Sequence, residues 1–399
     1  MPNPLTRRQA LVSLGAVCAG AVLPSIRAFA QISPSSAAAT VSPASPGSGQ
    51  PLLFSLADYE ALARERMSRV AWEYINSGSA DEFTLQWNRD ALNRIRLEPR
   101  VMIDVSHVDP GITLLGQKLP HPILVAPTAS HMLVDPAEGE VATVRGAGEA
   151  GAIMVASTVS NRSIEEINAA ATRPVWFQLY VESDRGLTRE IIQRAETAGS
   201  QALCITVDLP VAYGRNRIAH VDRESPLLPF PNLNLAAAPA TRPRSTRGRN
   251  TTFNWKDLEW LQSFAKTPII LKGILSPNDA EQAVRHGAKG IIVSNHGGRG
   301  LDSVPATIDA LPRVVDRVAG RIPVLVDGGI RRGTDILKGL AFGATAVLIG
   351  RPSLYGLAVN GGAGVRHVIE ILRTELEAAM ALTGKTSIVA IDRTVLWKE

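Results

Sequence analysis

Ser294-Asn295-His296-Gly297-Gly298-Arg299-Gly300-Leu301-Asp302 follows directly on the apolar run Gly290-Ile291-Ile292-Val293. A short β-branched run reads as a buried strand. It delivers an imidazole base and a guanidinium cation to a loop whose two glycines allow another group to approach closely. That is a catalytic layout. Taken alone, the same residues also suit a core histidine at a strand end with an arginine in a solvated turn, so the elements around them must decide.

The run is one of eight. Apolar stretches at residues 123–126, 153–156, 175–179, 202–207, 269–271, 291–293, 324–326 and 346–349 alternate with helically spaced segments at 138–150, 164–171, 187–198, 280–286, 306–318 and 333–342. Near-continuous apolar strands separated by helices mean a parallel sheet covered on both faces, and eight of them mean an α/β fold closed as a (β/α)8 TIM barrel. Every run is followed by polar or glycine residues. In order these are Pro127-Thr128-Ala129, Ser157-Thr158, Gln178 to Tyr180, Thr206 to Asp208, Lys272-Gly273, Ser294 to Arg299, Asp327-Gly328-Gly329 and Gly350-Arg351. The carboxyl end of the strands is the face on which such barrels keep their chemistry. Asp327-Gly328-Gly329-Ile330-Arg331 and Gly350-Arg351 also place glycines, backbone amides and arginines after strands seven and eight, where a phosphate-bearing cofactor is expected.

Ahead of the barrel, residues 56–77 read as an N-terminal helical segment, with Asp58 in its first turn and Gly78 just past its end, followed by an irregular stretch to Arg100. Between strands four and five about sixty residues intervene, far more than a barrel loop needs. The part at 224–252 is rich in Pro, Ala and Arg and reads as a mobile lid over the carboxyl face.

The net charge of +5 is local. Arg7, Arg8 and Arg27 lie in residues 1–30 and Arg242, Arg244, Arg247 and Arg249 in 225–255, both stretches free of acids; without these cations the remainder is net −2, which leaves no basic patch for nucleic acid. Thr6-Arg7-Arg8-Gln9, an apolar run at 10–23 and Ala28-Phe29-Ala30 together form the pattern of a twin-arginine signal peptide over residues 1–30. The run is too short to span a bilayer comfortably. The expected destination is the periplasm, reached already folded. Residues 31–51 read as a disordered linker and 52–399 as the catalytic domain. Only Cys204 survives cleavage, so no intrachain disulfide is possible, and no metal-ligand spacing is present.

Tyr74 in Trp-Glu-Tyr-Ile-Asn-Ser-Gly, Ala126-Pro127-Thr128, Phe177-Gln178-Leu179-Tyr180, Thr206-Val207-Asp208, Leu271-Lys272-Gly273, the His296 motif, Asp327-Gly328-Gly329-Ile330-Arg331 and Gly350-Arg351 jointly resemble the FMN-dependent L-2-hydroxy-acid oxidases and dehydrogenases. That family includes glycolate oxidase, L-lactate oxidase, mandelate dehydrogenase and the flavin domain of flavocytochrome b2. The resemblance runs from about Tyr59 to Ala390. It implies His296 as the base and Asp208 as the partner of its other ring nitrogen. By the same likeness Arg299 and Arg215 clamp the substrate carboxylate, while Tyr74 and Tyr180 contact its carboxylate and hydroxyl. Lys272 is implied beside the flavin N1 and C2 carbonyl. Pro127, Thr128, Ala129, Ser157, Gln178, Tyr180, Thr206 and Ser294 are implied at the isoalloxazine and ribityl groups, and Asp327, Gly328, Gly329, Ile330, Arg331, Gly350 and Arg351 at ribityl and phosphate. Family members are often tetramers, which implies a homo-oligomer.

Elementary chemistry supports part of this. Oxidising an alcohol beside a carboxylate needs a base, a cation and a two-electron acceptor; side chains supply the first two and a flavin the third. Gly300 departs from the glutamine usual after the motif's arginine, and Val159 from the tryptophan of glycolate-oxidase-like members, which points to a remodelled substrate pocket. Arg217 competes with Arg215 for the carboxylate. Ala129 favours oxygen as acceptor over a quinone or periplasmic cytochrome. Two other classes stay in view: a phosphate-binding barrel isomerase or nucleotide dehydrogenase, which for the latter requires a nucleophilic cysteine, and a non-enzymatic periplasmic binder.

Overall fold

The computed structural model describes residues 52–221, 228–233 and 250–397. The expected signal peptide, the linker and much of the long loop lie outside the described residues. Ten strands are described. β1 (Ile112–Leu114) and β2 (Gln117–Leu119) form an antiparallel hairpin. β3 (Ile123–Val125), β4 (Met154–Ser157), β5 (Val175–Leu179), β6 (Ala202–Thr206), β7 (Ile269–Ile274), β8 (Gly290–Val293), β9 (Val324–Val326) and β10 (Ala346–Ile349) follow. The last eight close into a parallel barrel in sequence order, with β10 against β3. Each coincides with an apolar run of the sequence, shifted at its ends by a residue or two, or by three at the end of β7.

Alternation along the strands sorts the barrel into layers. Leu124, Val155, Trp176, Cys204, Ile270, Ile292, Leu325 and Leu348 share one buried cluster inside the barrel. Leu114 and Leu119 of the hairpin belong to that cluster, so β1 and β2, which run directly into the start of β3, plug the amino end. Two residues further along each strand, on the same inward face, stand Ala126, Ser157, Gln178, Thr206, Lys272, Ser294, Asp327 and Gly350. The apolar core thus gives way, within one period of every strand, to a layer that is polar in six places.

Around the barrel lie α4 (Glu140–Glu149), α5 (Ile164–Ala169), α6 (Arg185–Thr197), α8 (Trp255–Gln262), α9 (Pro277–Arg285), α10 (Thr307–Val318), α11 (Gly333–Ala341) and α12 (Arg351–Leu382), the last broken at Asn360 and Gly361. A short α7 (Asn216–Ala219) and a 3-10 turn at Pro231–Leu233 precede α8, so the described part of the long connection is structured.

The N-terminal segment differs from its expected form. It is two helices, α1 (Leu56–Arg66) and α2 (Arg69–Asn76), because Met67 is extended and Ser68 starts a new helix by accepting from the Ala71 N–H. Asp58 completes a capping box with Ser55, each satisfying one free N–H at the start of α1. Gly78 does not cap α2. A Cβ there would stand 3.0 Å from the Gly298 carbonyl, so its role is close packing against the His296 loop. The stretch read as irregular contains α3 (Phe83–Arg94).

Candidate active site

Within the polar layer, neighbours satisfy one another. Ser157 Oγ donates to Gln178 Oε1 at 3.1 Å, and Gln178 Nε2 donates to Thr206 Oγ1 at 3.0 Å. Lys272 Nζ donates to Ser294 Oγ at 2.9 Å and stands 3.4 Å from Asp327 Oδ2. Burial opposes charge on Lys272, but Asp327 and Asp208 outweigh it and hold the amine above its usual pKa. A permanent cation is therefore fixed in the centre of the barrel mouth.

His296 leaves the end of β8 at φ 59°, followed by Gly297 at 63° and Gly298 at 76°. This left-handed run is what the two glycines permit, and His296 is the residue forced to share it. The loop is held at several points. His296 N donates to Ser294 Oγ at 3.0 Å, Ser79 N to the Gly298 carbonyl at 2.8 Å, and Arg351 to the Gly297 carbonyl at 2.9 Å. Nδ1 of the ring meets Asp208 Oδ1 at 3.0 Å, and Nε2 faces the Tyr180 hydroxyl at 3.4 Å. Asp208 has room there because residue 273 lacks a side chain: a Cβ on Gly273 would lie 2.5 Å from that of Asp208. Burial opposes charge on Asp208, yet the neighbouring His296 and Lys272 keep its carboxyl below the usual value. The carboxylate fixes the proton on Nδ1 and leaves the Nε2 lone pair toward the cavity. Burial, partly offset by Asp208, pushes the imidazole below its ordinary pKa, which keeps it unprotonated at neutral pH.

Three guanidiniums crowd the same mouth. The ζ carbons of Arg215 and Arg299 stand 5.4 and 5.2 Å from the Tyr74 ring centroid. Arg215 donates to the Tyr74 carbonyl and, at 2.6 Å, to Ser77 Oγ; Arg299 donates to the same carbonyl at 3.1 Å. Arg351 donates to the Ile75 carbonyl at 3.0 Å. Burial first and the Arg299 charge second push the pKa values of both Arg215 and Arg351 down. Such crowding is relieved by an anion. Arg217 points elsewhere, pairing with Glu73 at 2.7 Å and Glu82 at 3.2 Å.

These groups surround a cavity of about 560 Å³. Tyr74, Tyr180, Arg215, Lys272, His296 and Arg299 are on its wall, as are Pro127, Thr128, Ala129, Ser157, Asp327 through Arg331, Gly350 and Arg351. Gln178, Thr206 and Ser294, expected at the cofactor, are not; they sit in the polar layer bonded to Ser157 and Lys272. Cys204 lies deep in the barrel with its thiol pushed by burial up to about 12, which removes the nucleophile a nucleotide dehydrogenase requires.

A family model described as FMN-dependent dehydrogenase matches residues 63–398. The chain belongs to that family. An L-lactate oxidase of Nostoc sp. (strain PCC 7120 / SAG 25.82 / UTEX 2576) is 48% identical over 355 residues, covering 86% of this chain and 97% of the relative. Glycolate oxidase 3 of Oryza sativa subsp. indica is 44% identical over 353 residues, covering 86% and 95%. Among solved structures, mandelate oxidase with (S)-2-phenylpropionate has a TM-score of 0.77 at 37% identity and covers 87% of this chain and 99% of the other.

FMN, the family's cofactor, fits the residues present. Asp327 Oδ1 is buried without a hydrogen-bond partner at the cavity wall, an acceptor awaiting a hydroxyl. The N-terminus of α12 begins at Gly350 with no side-chain cap and has Arg351 at its first position, a seat for a phosphate. Lys272 supplies the positive charge suited to a reduced flavin. Gly328 and Gly329 line the cavity too, but their missing side chains are required by close packing. A Cβ would meet Thr307 Oγ1 at 2.7 Å from Gly328 and the Asn88 carbonyl at 2.3 Å from Gly329.

Sequence reasoning missed the wall formed by Leu209, Ala212, Tyr213, Ile218 and Ala219. These residues follow β6 in an irregular segment with no periodicity to expose them. The one available signal was their position just past Asp208.

Proposed function

We propose that this enzyme oxidises a small L-2-hydroxy acid, L-lactate by default, to the 2-oxo acid. The observation that carries the reading is the His296 imidazole, tied through Nδ1 to Asp208 and facing the cavity through Nε2 beside Arg215 and Arg299. In this reading Arg215 and Arg299 bind the substrate carboxylate and Tyr74 closes over it. That choice of Arg215 is supported by the engagement of Arg217 with two carboxylates. Tyr180 and His296 then meet the hydroxyl at C2, and Nε2 takes its proton while Asp208 favours the resulting imidazolium. Bound FMN supplies the acceptor for two electrons. Ser157, Lys272, Asp327, Arg331, Gly350 and Arg351 hold it, with Pro127 to Ala129 along the ring and Gln178, Thr206 and Ser294 bracing from below. The likeness to lactate, glycolate and mandelate oxidases supports a 2-hydroxy acid.

For the final acceptor we propose oxygen, in keeping with Ala129 at the cavity wall and with relatives that are oxidases. The second reading is a dehydrogenase passing electrons to a quinone or a periplasmic cytochrome. It is favoured by the likeness to an active chimera of (S)-mandelate dehydrogenase, TM-score 0.81 at 34% identity over 87% of this chain and all of the other. Export to the periplasm by the twin-arginine route and a homotetramer are part of the proposal.

Purified protein is expected to be yellow and to lose its visible absorbance with L-lactate or L-mandelate. The D forms are expected to leave it unchanged; bleaching by neither L-acid would remove the substrate assignment. Stopped-flow reoxidation of the reduced protein by oxygen separates the acceptors, a slow rate selecting the dehydrogenase.

A further inference from the structure

We infer that α3 holds the base loop and the cofactor-phosphate turn in fixed register, through two adjacent positioning residues, Asn88 and Arg89. The inference rests on the reading of His296 as the base and of the Asp327–Arg331 turn as part of the FMN seat. Neither residue is on the cavity wall. Neighbours in a helix point about 100° apart, so one pair of positions can reach two different loops.

Asn88 is buried and faces the base loop. Its Nδ2 donates to Asn295 Oδ1 at 2.9 Å, and its Oδ1 accepts from Asn295 Nδ2 at 2.9 Å and from Thr307 N at 3.2 Å. Asn295 Oδ1 also accepts from Gly298 N at 3.1 Å, so the amide pair fixes the turn that carries His296. Arg89 faces the phosphate turn. It donates to the Gly329 carbonyl and reaches Asp335 at 3.4 Å. Asp335 in turn accepts from the Arg331 and Arg332 N–H groups at 2.9 and 3.0 Å.

The backbone of α3 touches both loops as well. A Cβ on Gly298 would lie 2.7 Å from the Leu85 backbone, and one on Gly329 would lie 2.3 Å from the Asn88 carbonyl. Both ends of the helix are tied to the same two βα units. Asp302 accepts from Asp81, Phe83 and Thr84 N–H groups at its start, and Lys338 Nζ donates to the Leu92 carbonyl at 2.8 Å near its end. A helix anchored this way transmits any shift of one loop to the other.

The test uses the full-length holoenzyme and its FMN-free form. Arg89→Ala is expected to raise the FMN dissociation constant, read by flavin fluorescence on titrating the FMN-free protein, on the order of 10–100-fold. Asn88→Ala is expected to lower the rate of flavin reduction at saturating FMN about 10-fold or more and to move the inflection of its pH profile, because the imidazole shifts relative to Asp208. Arg94→Ala, which removes an exposed pair with Asp309 on the same helix, is the control expected to change neither. Should the alanine variants fold poorly by circular dichroism, Asn88→Asp, which loses only the donor to Asn295, and Arg89→Lys, which loses the planar fork, are expected to move the same readouts by less. If Asn88 variants keep the parent rate and pH profile, or Arg89 variants keep the parent FMN affinity, α3 serves packing alone and the inference is overturned. Full reduction by His296→Ala would instead sink the base assignment while leaving the Arg89 effect on FMN affinity standing.

Discussion

His296 is a non-glycine residue in the left-handed region, a placement that costs about 1–3 kcal/mol and persists only where the surroundings over-determine it. The bonds to Ser294, Gly297 and Gly298 supply that determination, and the result is an imidazole aimed at the cavity rather than into the core. His296→Ala is expected to bind FMN and to lose flavin reduction by substrate, measured anaerobically at the flavin absorbance; an unchanged reduction rate removes it as the base. The pH dependence follows from burial, which lowers the imidazole pKa below 6.5 against the opposing Asp208 carboxylate. A base must be neutral. Flavin reduction is therefore expected to be complete in rate at neutral pH and to fall as the pH drops through that lowered value. Asp208→Asn removes the influence that raises it, so the inflection is expected to move further toward acid. The plateau is expected to fall by a factor on the order of 10²–10⁴ as the tautomer is released. An inflection above 6.5 in the parent enzyme would contradict the burial argument.

The eight barrel strands were legible because both of their faces are buried, which writes them as continuous apolar runs with polar residues at one end. α3 was not legible for the opposite reason. Its buried residues are Thr84, Asn88, Ala91 and Leu92, so half of the inward face is polar and no apolar stripe marks it. It meets loops rather than sheet, and hydrogen bonds replace hydrophobic contact. The hairpin was missed because β1 and β2 are only three residues long. Their turn also puts Leu115 at φ 47° and Gly116 at 78°, a geometry usually signalled by Asn-Gly. Likewise the wall after Asp208 follows no period, while Tyr74, Arg215, Lys272, His296 and Arg299 were readable through motifs. The hairpin carries its own prediction. Leu114 and Leu119 are almost fully buried in the barrel's interior cluster, far along the strands from the polar layer. Leu114→Ala is expected to cost about 2–5 kcal/mol of stability by denaturant titration while flavin reduction keeps its rate. A loss of reduction rate without loss of stability would show that the plug reaches the site.

At the scale of the whole molecule, one compact unit spans Leu53–Glu399, and the family match begins inside it at residue 63. Its first helix is capped from within, since Ser55 and Asp58 satisfy each other's N–H groups and Phe54 N donates to Asp58 at 2.9 Å. Nothing ahead of Phe54 is needed to close that helix end. A chain beginning at residue 52 is therefore expected to fold with FMN bound and to unfold within about 2 °C of the full chain, a shift corresponding to well under 1 kcal/mol for a domain of this size. If the truncated protein loses FMN or melts far lower, residues 1–51 belong to the fold and the leader reading fails. The paired arginines are tested separately. Arg7→Lys with Arg8→Lys is expected to leave a yellow, active protein in the cytoplasmic fraction, because a route that exports folded chains selects on the leader after the flavin site is already assembled. Equal export of that variant would assign residues 1–30 to another route while leaving the barrel chemistry untouched.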